Sequence, residues 1–327
     1  MKIFYHIDAD GMCAGFWVYE IVKRMISSGN SIHSSKDLEE LEFIKMNYNY
    51  DVPLDRIKRD EFIYIVDFSI DPAVMEKLLS ITGNVIWIDH HKTAIEKYSN
   101  FKRNIPGLRY DGIAGCMLTY CYFTHMVNPY DEFDVVNDFD KSMTEDAPWF
   151  TKYIADYDVW TFEYGDDTRN FRIALGAEDH TEPNDEIWNT FLHDNDRTYV
   201  NKFIEDGKAM RKYASSFASK YCTCKGFDAT FEGYSAFVMN VGLAGTEWFD
   251  SIENSDKADN YQLYIVFSLN PSGDWGYSLR SSKIDVSELA AKYGGGGHKG
   301  AAGFHHDRCL FEKKKTFIQK LKDLFRS

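Results

Sequence analysis

Three short apolar runs near the start of this chain each stop at acidic or histidine side chains. Lys2–Tyr5 leads into His6, Asp8 and Asp10, Phe62–Val66 into Asp67, and Asn84–Ile88 into Asp89, His90 and His91. Short continuous apolar runs mark strands buried on both faces. Alternating with helical stretches, they predict a doubly wound α/β domain around a parallel sheet. Ligands of such sheets bind beyond the carboxyl ends of the strands, so Asp8, Asp10, Asp67, Asp89 and His90 should gather at one edge. Carboxylates that close repel one another unless protonated or bridged by cations. Mixed oxygen and imidazole ligands suit Mn2+, with Mg2+, Co2+ or Fe2+ as alternatives. Two ions about 3.5–4 Å apart can generate hydroxide and neutralise a phosphoryl group.

A single aspartate after a strand is more often a helix cap than a ligand, and Asp10 before Gly11 fits a cap as well. The metal reading prevails because three consecutive strand ends carry the same chemistry. Adjacent residues cannot easily ligate one ion, which leaves His90 as ligand and His91 facing a substrate phosphate. A second ion needs a fourth acidic site. Tyr153–Trp160 offers Asp156 and Asp158 in an apolar, aromatic segment, and spacing alone does not choose between them.

A chain of 327 residues is long enough for two domains of ordinary size. We expect a catalytic, metal-binding domain at 1–195, a linker helix at 196–224 and a substrate-binding domain at 225–327. The net charge of −14 argues against broad binding to long duplexes. It leaves room for a short polyanion held by metal ions and local cations. No apolar stretch approaches the roughly 20 residues of a membrane span. The start of the chain lacks a signal-like segment, so a cytoplasmic protein without membrane contact is expected. The six cysteines are scattered, and Cys222-Thr-Cys224 fits neither a redox nor a usual zinc motif. Free thiols are expected.

Residues 36–60 read as charged and tyrosine-rich, helical to about Tyr50. Asp71-Pro72 starts a helix with a cap and a first-turn proline. The acidic stretch Asn128–Asp146 reads as a solvated loop or helix face, with a partner surface as the alternative. Tyr199–Tyr221 has the apolar spacing of an amphipathic helix. Beyond it, Phe227–Val241, Tyr261–Leu269 and Trp275–Arg280 look like strands, the last two joined by a hairpin turn over Asn270–Asp274. Asp285–Glu288 resembles a capping box. Phe317, Ile318, Leu321, Leu324 and Phe325 make a terminal amphipathic helix. His305 and His306 read as solvated.

Gly294–Gly297 before His298 allows close backbone approach, and the amides of Gly295, Gly296 and Gly297 can form an anion-binding nest. Arg280 can grip a phosphate bidentately, and Lys299 adds a local cation.

These residues resemble the DHH phosphoesterase superfamily. The matching motifs are His6-Ile-Asp-Ala-Asp10-Gly, Val66-Asp67-Phe-Ser, Asp89-His-His91 and Ile154-Ala-Asp156. Ser278-Leu-Arg280-Ser and Gly294–Gly303 are similar to the DHH-associated domain. The resemblance implies a larger N-terminal α/β domain with two Mn2+ ions and a smaller C-terminal α/β domain with a mixed sheet. It implies that Asp8 and Asp10 ligate different ions, that Asp67 bridges them, and that His90 and Asp156 complete the second. The family pattern thus favours Asp156 over Asp158. It places His91 at the scissile phosphate. Many members carry their first histidine four residues before the first aspartate. That position here is Phe4, and His6 stands two before Asp8. This shorter form resembles the small oligoribonucleases, or nanoRNases.

The function expected is Mn2+-dependent hydrolysis of short oligonucleotides to mononucleotides. Arg280, His298, Lys299 and the glycine loop would hold the terminal nucleotide, and Trp160 or exposed tyrosines could stack on bases. A homodimer is compatible with this reading. Rival enzymes on the same metals are a cyclic-dinucleotide or 3′,5′-bisphosphonucleotide phosphatase, a RecJ-like single-strand exonuclease, and a pyrophosphatase or polyphosphatase. A nucleotide sensor without activity would be expected to have broken metal motifs, whereas every carboxylate is in place.

Overall fold

The computed structural model describes residues 1–29, 31–47, 50–126, 135–136, 139–242, 246–253 and 255–311. It divides into two compact units, Met1–Tyr213 and Ala214–Ser327. The expected boundaries at 195 and 225 flank that division.

The first unit is built on a parallel sheet of β1 (Lys2–His6), β2 (Glu42–Met46), β3 (Ile63–Val66) and β4 (Val85–Ile88), in the order β2-β1-β3-β4. The short strand β5 (Gly107–Leu108) extends it. Trp87 N donates to Pro106 O and Asp89 N to Leu108 O, and β5 pairs in parallel with β6 (Val135–Val136). Helices α1 (Ala9–Ser27), α2 (Ser35–Glu39), α3 (Pro72–Ile81), α4 (Lys92–Lys97), α5 (Gly115–Cys121), α6 (Trp149–Asp158), α7 (Asp166–Leu175) and α8 (Glu186–Leu192) surround the sheet, and α9 (Thr198–Lys225) runs across the division of the units.

The alternation within the strands explains why they read as continuous apolar runs. Ile3, Tyr5, Tyr64, Val66, Ile86 and Ile88 face one core, which also contains Trp17, Phe150 and Trp188. Phe4, Ile63, Ile65, Val85 and Trp87 face the other, which also contains Met75 and Leu78 from α3. Each such side chain contributes about 1.5–3 kcal/mol by leaving water. Asp71 caps α3 by accepting from Ala73 N.

One expectation fails here. Residues 42–46 are not helical but form the edge strand β2. Lys45 of β2 is exposed while Ile44 and Met46 are buried, and pairing with β1 overrides the helical propensity of a charged segment.

The second unit carries a mixed six-stranded sheet. Its strands are β7 (Phe227–Phe231), β8 (Tyr234–Asn240), β9 (Leu263–Leu269), β10 (Trp275–Arg280), β11 (Gly296–Gly297) and β12 (Ala301–His306), in the order β11-β12-β10-β9-β8-β7. Only β8 and β9 pair in parallel among the described strands. The β9–β10 hairpin closes through Asn270 N to Asp274 O, with Gly273 at φ 91°. Helix α11 (Val286–Ala291) begins at Asp285, whose carboxylate accepts from Ser287 N; α10 (Asp250–Glu253) is a single turn. All six cysteines are free thiols. His305 is exposed and pairs with Asp274. The proposed terminal helix at 317–325 and most of the acidic stretch, 128–134 with 137 and 138, lie outside the described residues.

Gly207 in α9 shows how tightly the first unit is packed. A methyl group there would lie 1.8 Å from Asn170 O on α7. Gly207→Ala should therefore destabilise by about 1–3 kcal/mol through overpacking, not gain the roughly 1 kcal/mol of an exposed helical glycine. Urea unfolding measures the sign, and a raised midpoint would show that α9 does not sit against Asn170.

Candidate metal centre

Each strand of the first sheet that ends in a candidate ligand delivers it to the same edge. Asp8 follows β1 and caps α1, accepting from Gly11 N at 2.9 Å. The glycine is required, since a Cβ at Gly11 would lie 2.2 Å from His6 O. Asp67 follows β3 in a left-handed backbone conformation, φ 51°, which costs an aspartate about 1 kcal/mol or more. Its amide donates to Ile88 O at 2.9 Å, so the sheet itself holds the strained residue. Asp89, His90 and His91 follow β4, with His91 at the N-terminus of α4.

These side chains form overlapping ligand groups. His6, Asp8 and Asp67 lie close enough to share one ion, and Asp10, His90 and Asp158 another. His6 Nδ1 is 2.7 Å from Asp8 Oδ2 and 3.9 Å from Asp67 Oδ2. On the other side, His90 Nε2 is 3.1 Å from Asp67 Oδ1, 3.4 Å from Asp158 Oδ2 and 3.7 Å from Asp10 Oδ2. Asp8 and Asp10 thus fall in different groups, with Asp67 between them. Asp67 is 1 % exposed, and among the described residues neither of its carboxylate oxygens accepts a hydrogen bond. A buried carboxylate left in that state is costly, and divalent cations fit the vacant lone pairs.

The electrostatics point the same way. Burial, then the charges of Asp10, Asp8 and Asp158, push Asp67 well above the ordinary carboxylate range. Burial, then Asp10 and Asp8, do the same to Asp158. Without cations the cluster can relieve its repulsion only by taking up protons. Burial and His91 lower His90, favouring the neutral imidazole that ligates metal. For His91 burial works in the same direction, but the charge and hydrogen bond of Asp89 outweigh it and push the ring up to about 9. Asp89 Oδ1 holds His91 Nδ1 at 2.8 Å and accepts from the amides of His90 and His91, while Ser69 donates to Oδ2. Asp89 therefore orients the His91 ring and fixes the backbone amides of both histidines.

The structure places the two aspartates of the fourth motif differently from the expectation. Asp156 does not face the cluster. Its Oδ1 accepts from Thr161 Oγ1 and Glu163 N, and its Oδ2 from Tyr164 N and Thr168 Oγ1. Asp156 pins the turn after α6, and Asp158, two residues on, reaches His90.

Residues absent from the sequence reading complete the cradle. Asp10 accepts from Gly115 N at 2.7 Å and Cys116 N at 2.9 Å, so the start of α5 holds it in place. A Cβ at Gly115 would lie 2.6 Å from Asp67 Cβ.

In the second unit the candidate substrate residues have local partners. Arg280 Nη1 is 2.8 Å from Asp250 Oδ1 and Nη2 is 2.5 Å from Glu253 Oε2, so these two nitrogens face carboxylates where a phosphate grip was expected. Packing and backbone conformation account for Gly294, Gly295 and Gly297 of the glycine run. Cβ atoms at Gly295 and Gly297 would meet β12 at 2.1 Å and 2.6 Å, and Gly294 has φ 78°. The nest expectation is also narrowed, because the amides of Gly294, Gly295 and His298 donate to Ala291, Ala290 and Ala301 carbonyls. Gly296 and Gly297 form β11, and Lys299 O accepts from Val286 N.

Residues 251–327 match the DHHA1 domain. The chain is 26% identical over 328 residues to an uncharacterized protein of Acanthamoeba polyphaga mimivirus, covering 92% of this chain and 66% of that protein. It is 24% identical over 267 residues to Oligoribonuclease NrnB of Bacillus subtilis (strain 168), covering 75% of this chain and 59% of that protein. It thus spans about three fifths to two thirds of the length of these curated relatives. Its fold is similar to the solved DHH domain of a member of the s1p family of ribosomal proteins, with TM-score 0.56 and 13% identity over 99% of this chain and 86% of that one.

Asp158→Asn should weaken Mn2+ binding about 10–100-fold or more. Asp156→Asn should keep the metal and lose about 2 kcal/mol of stability from its charged hydrogen bonds. Calorimetric Mn2+ titration with urea unfolding separates the two. Loss of metal confined to Asp156→Asn would restore that residue as the ligand.

Proposed function

We propose that this chain of the DHH superfamily, with its C-terminal DHHA1 domain, hydrolyses short oligoribonucleotides to mononucleotides with two divalent ions, preferably Mn2+. The observation that carries the reading is buried Asp67 standing between two ligand groups with neither oxygen hydrogen-bonded among the described residues. The substrate class is supported by the similarity to Oligoribonuclease NrnB and by a net charge of −14 that disfavours long duplexes.

His6 and Asp8 would hold one ion, Asp10, His90 and Asp158 the other, and Asp67 both. Bound there, the ions supply charge neutralisation at phosphorus and activation of the attacking water. The chain's own part is to fix the ligands, chiefly through the α5 amides on Asp10 and the sheet hydrogen bond on Asp67. Asp89 holds His91 Nδ1, so a hydrogen bond from His91 to a phosphate oxygen would come from Nε2, with the ring protonated. Such a donor stabilises negative charge developing in the transition state. We assign holding of the terminal nucleotide to the second unit, through His298, Lys299, Gly295–Gly297 and Arg280. Arg280 would exchange Asp250 and Glu253 for phosphate.

Rates with Mn2+ on pApA, five-mer RNA, a cyclic dinucleotide, 3′,5′-bisphosphoadenosine and pyrophosphate test the reading. The two linear RNA substrates should be cleaved fastest, and Asp67→Ala should lower those rates about a thousandfold or more. Faster turnover of pyrophosphate or of the cyclic dinucleotide would contradict the substrate class. Wild-type rates in Asp67→Ala would sink the two-metal scheme.

A further inference from the structure

The turn after Asp158 carries more chemistry than placing one carboxylate requires. Trp160 and Phe162 both adopt left-handed backbone, φ 57° and 49°, a region that bulky residues rarely occupy. Glycine or asparagine would make such a turn without strain. Asp156 and its four hydrogen bonds hold the turn in this form. The conformation gathers three rings. Trp160 and Phe162 centroids are 5.3 Å apart at 77°, Tyr157 and Phe162 5.9 Å at 87°, and Tyr157 and Trp160 6.2 Å at 44°. Among the described residues, none of the three belongs to the two apolar cores of the first unit, and all three are partly exposed. Two arginines of α7 lie over them. The Arg169 guanidinium is 3.6 Å from the Phe162 centroid and that of Arg172 5.4 Å from the Tyr157 centroid. Two guanidinium groups thus lie against a partly exposed group of rings two residues from Asp158.

We propose that Trp160, with Tyr157 and Phe162, is a stacking platform for the nucleobase next to the scissile phosphate, and that Arg172 contacts the phosphate backbone beside it. The proposal rests on the oligonucleotide reading above and names where that substrate's base sits. Stacking on an aromatic ring tolerates every base, since each has a π-face, and arginine strengthens it. Arginine also matches phosphate oxygens in a planar, two-point contact. The platform lies within the metal-binding unit and two residues from Asp158. A base stacked there would be held with no help from sequence-specific hydrogen bonds, which predicts cleavage with little sequence preference.

Calorimetric binding of adenosine 5′-monophosphate and of ribose 5-phosphate to the full chain with Mn2+ tests this without relying on hydrolysis. The base should make the nucleotide bind about tenfold tighter than the sugar phosphate. Trp160→Asn, which keeps a residue at ease with left-handed backbone, should remove that advantage. Ribose 5-phosphate affinity and Mn2+ stoichiometry should stay as in the wild type. Arg172→Ala should weaken both ligands alike. Equal binding of the two ligands to the wild type, or an unchanged advantage in Trp160→Asn, would overturn the platform. Equal losses of both ligands in Trp160→Asn would also overturn it, as a merely structural effect. An Arg172→Ala variant that binds both normally would remove Arg172 from the site. A wild type that prefers the nucleotide yet leaves five-mer RNA intact would support the platform and refute the proposed substrate.

Discussion

The buried carboxylate of Asp67 is the constraint on which the first unit's functional edge depends. Burying a carboxylate without hydrogen bonds is costly, and Asp8, Asp10 and Asp158 add repulsion. The fold does not relieve this with a lysine or arginine among the described neighbours. It surrounds Asp67 with ligand atoms at distances that cations would bridge. The supporting parts follow from that choice. Gly115 lets α5 approach Asp67, the α5 amides fix Asp10, and Asp89 sets the orientation of His91.

Much of this was legible in the amino-acid order because strand ends are where a parallel sheet exposes side chains. Apolar runs ending in Asp8, Asp67 and Asp89–His91 carried the sheet and the cluster together. The edge strand β2 was not legible, since Glu42–Met46 carries charges at Glu42 and Lys45 with no strict alternation, and only pairing with β1 makes it a strand. Gly115 was equally hidden. Its role is a distance to Asp67 across 48 residues of sequence, and one glycine in a loop–helix junction carries no such information.

Asp156 and Asp158 show the limit of motif reading. Both sit on the last turn of α6, and spacing does not tell which side chain turns toward β4. Hydrogen-bond demand decides it: the turn after α6 has left-handed Trp160 and Phe162, and its amides and hydroxyls take up Asp156. The glycine run is a similar case. Its composition suits a phosphate nest, and close approach to β12 accounts for Gly295 and Gly297 without a ligand. Arg280 was read from its chemistry alone, and Asp250 and Glu253 could not be paired with it from the order of residues.

Diffraction from Mn2+-soaked crystals, with anomalous data collected at the manganese edge, tests the central claim most directly. The account predicts two peaks about 3.5–4 Å apart on either side of Asp67, one against His6 and Asp8 and the other against Asp10, His90 and Asp158. A single peak, or density at Asp156 with none beside Asp67, would contradict it.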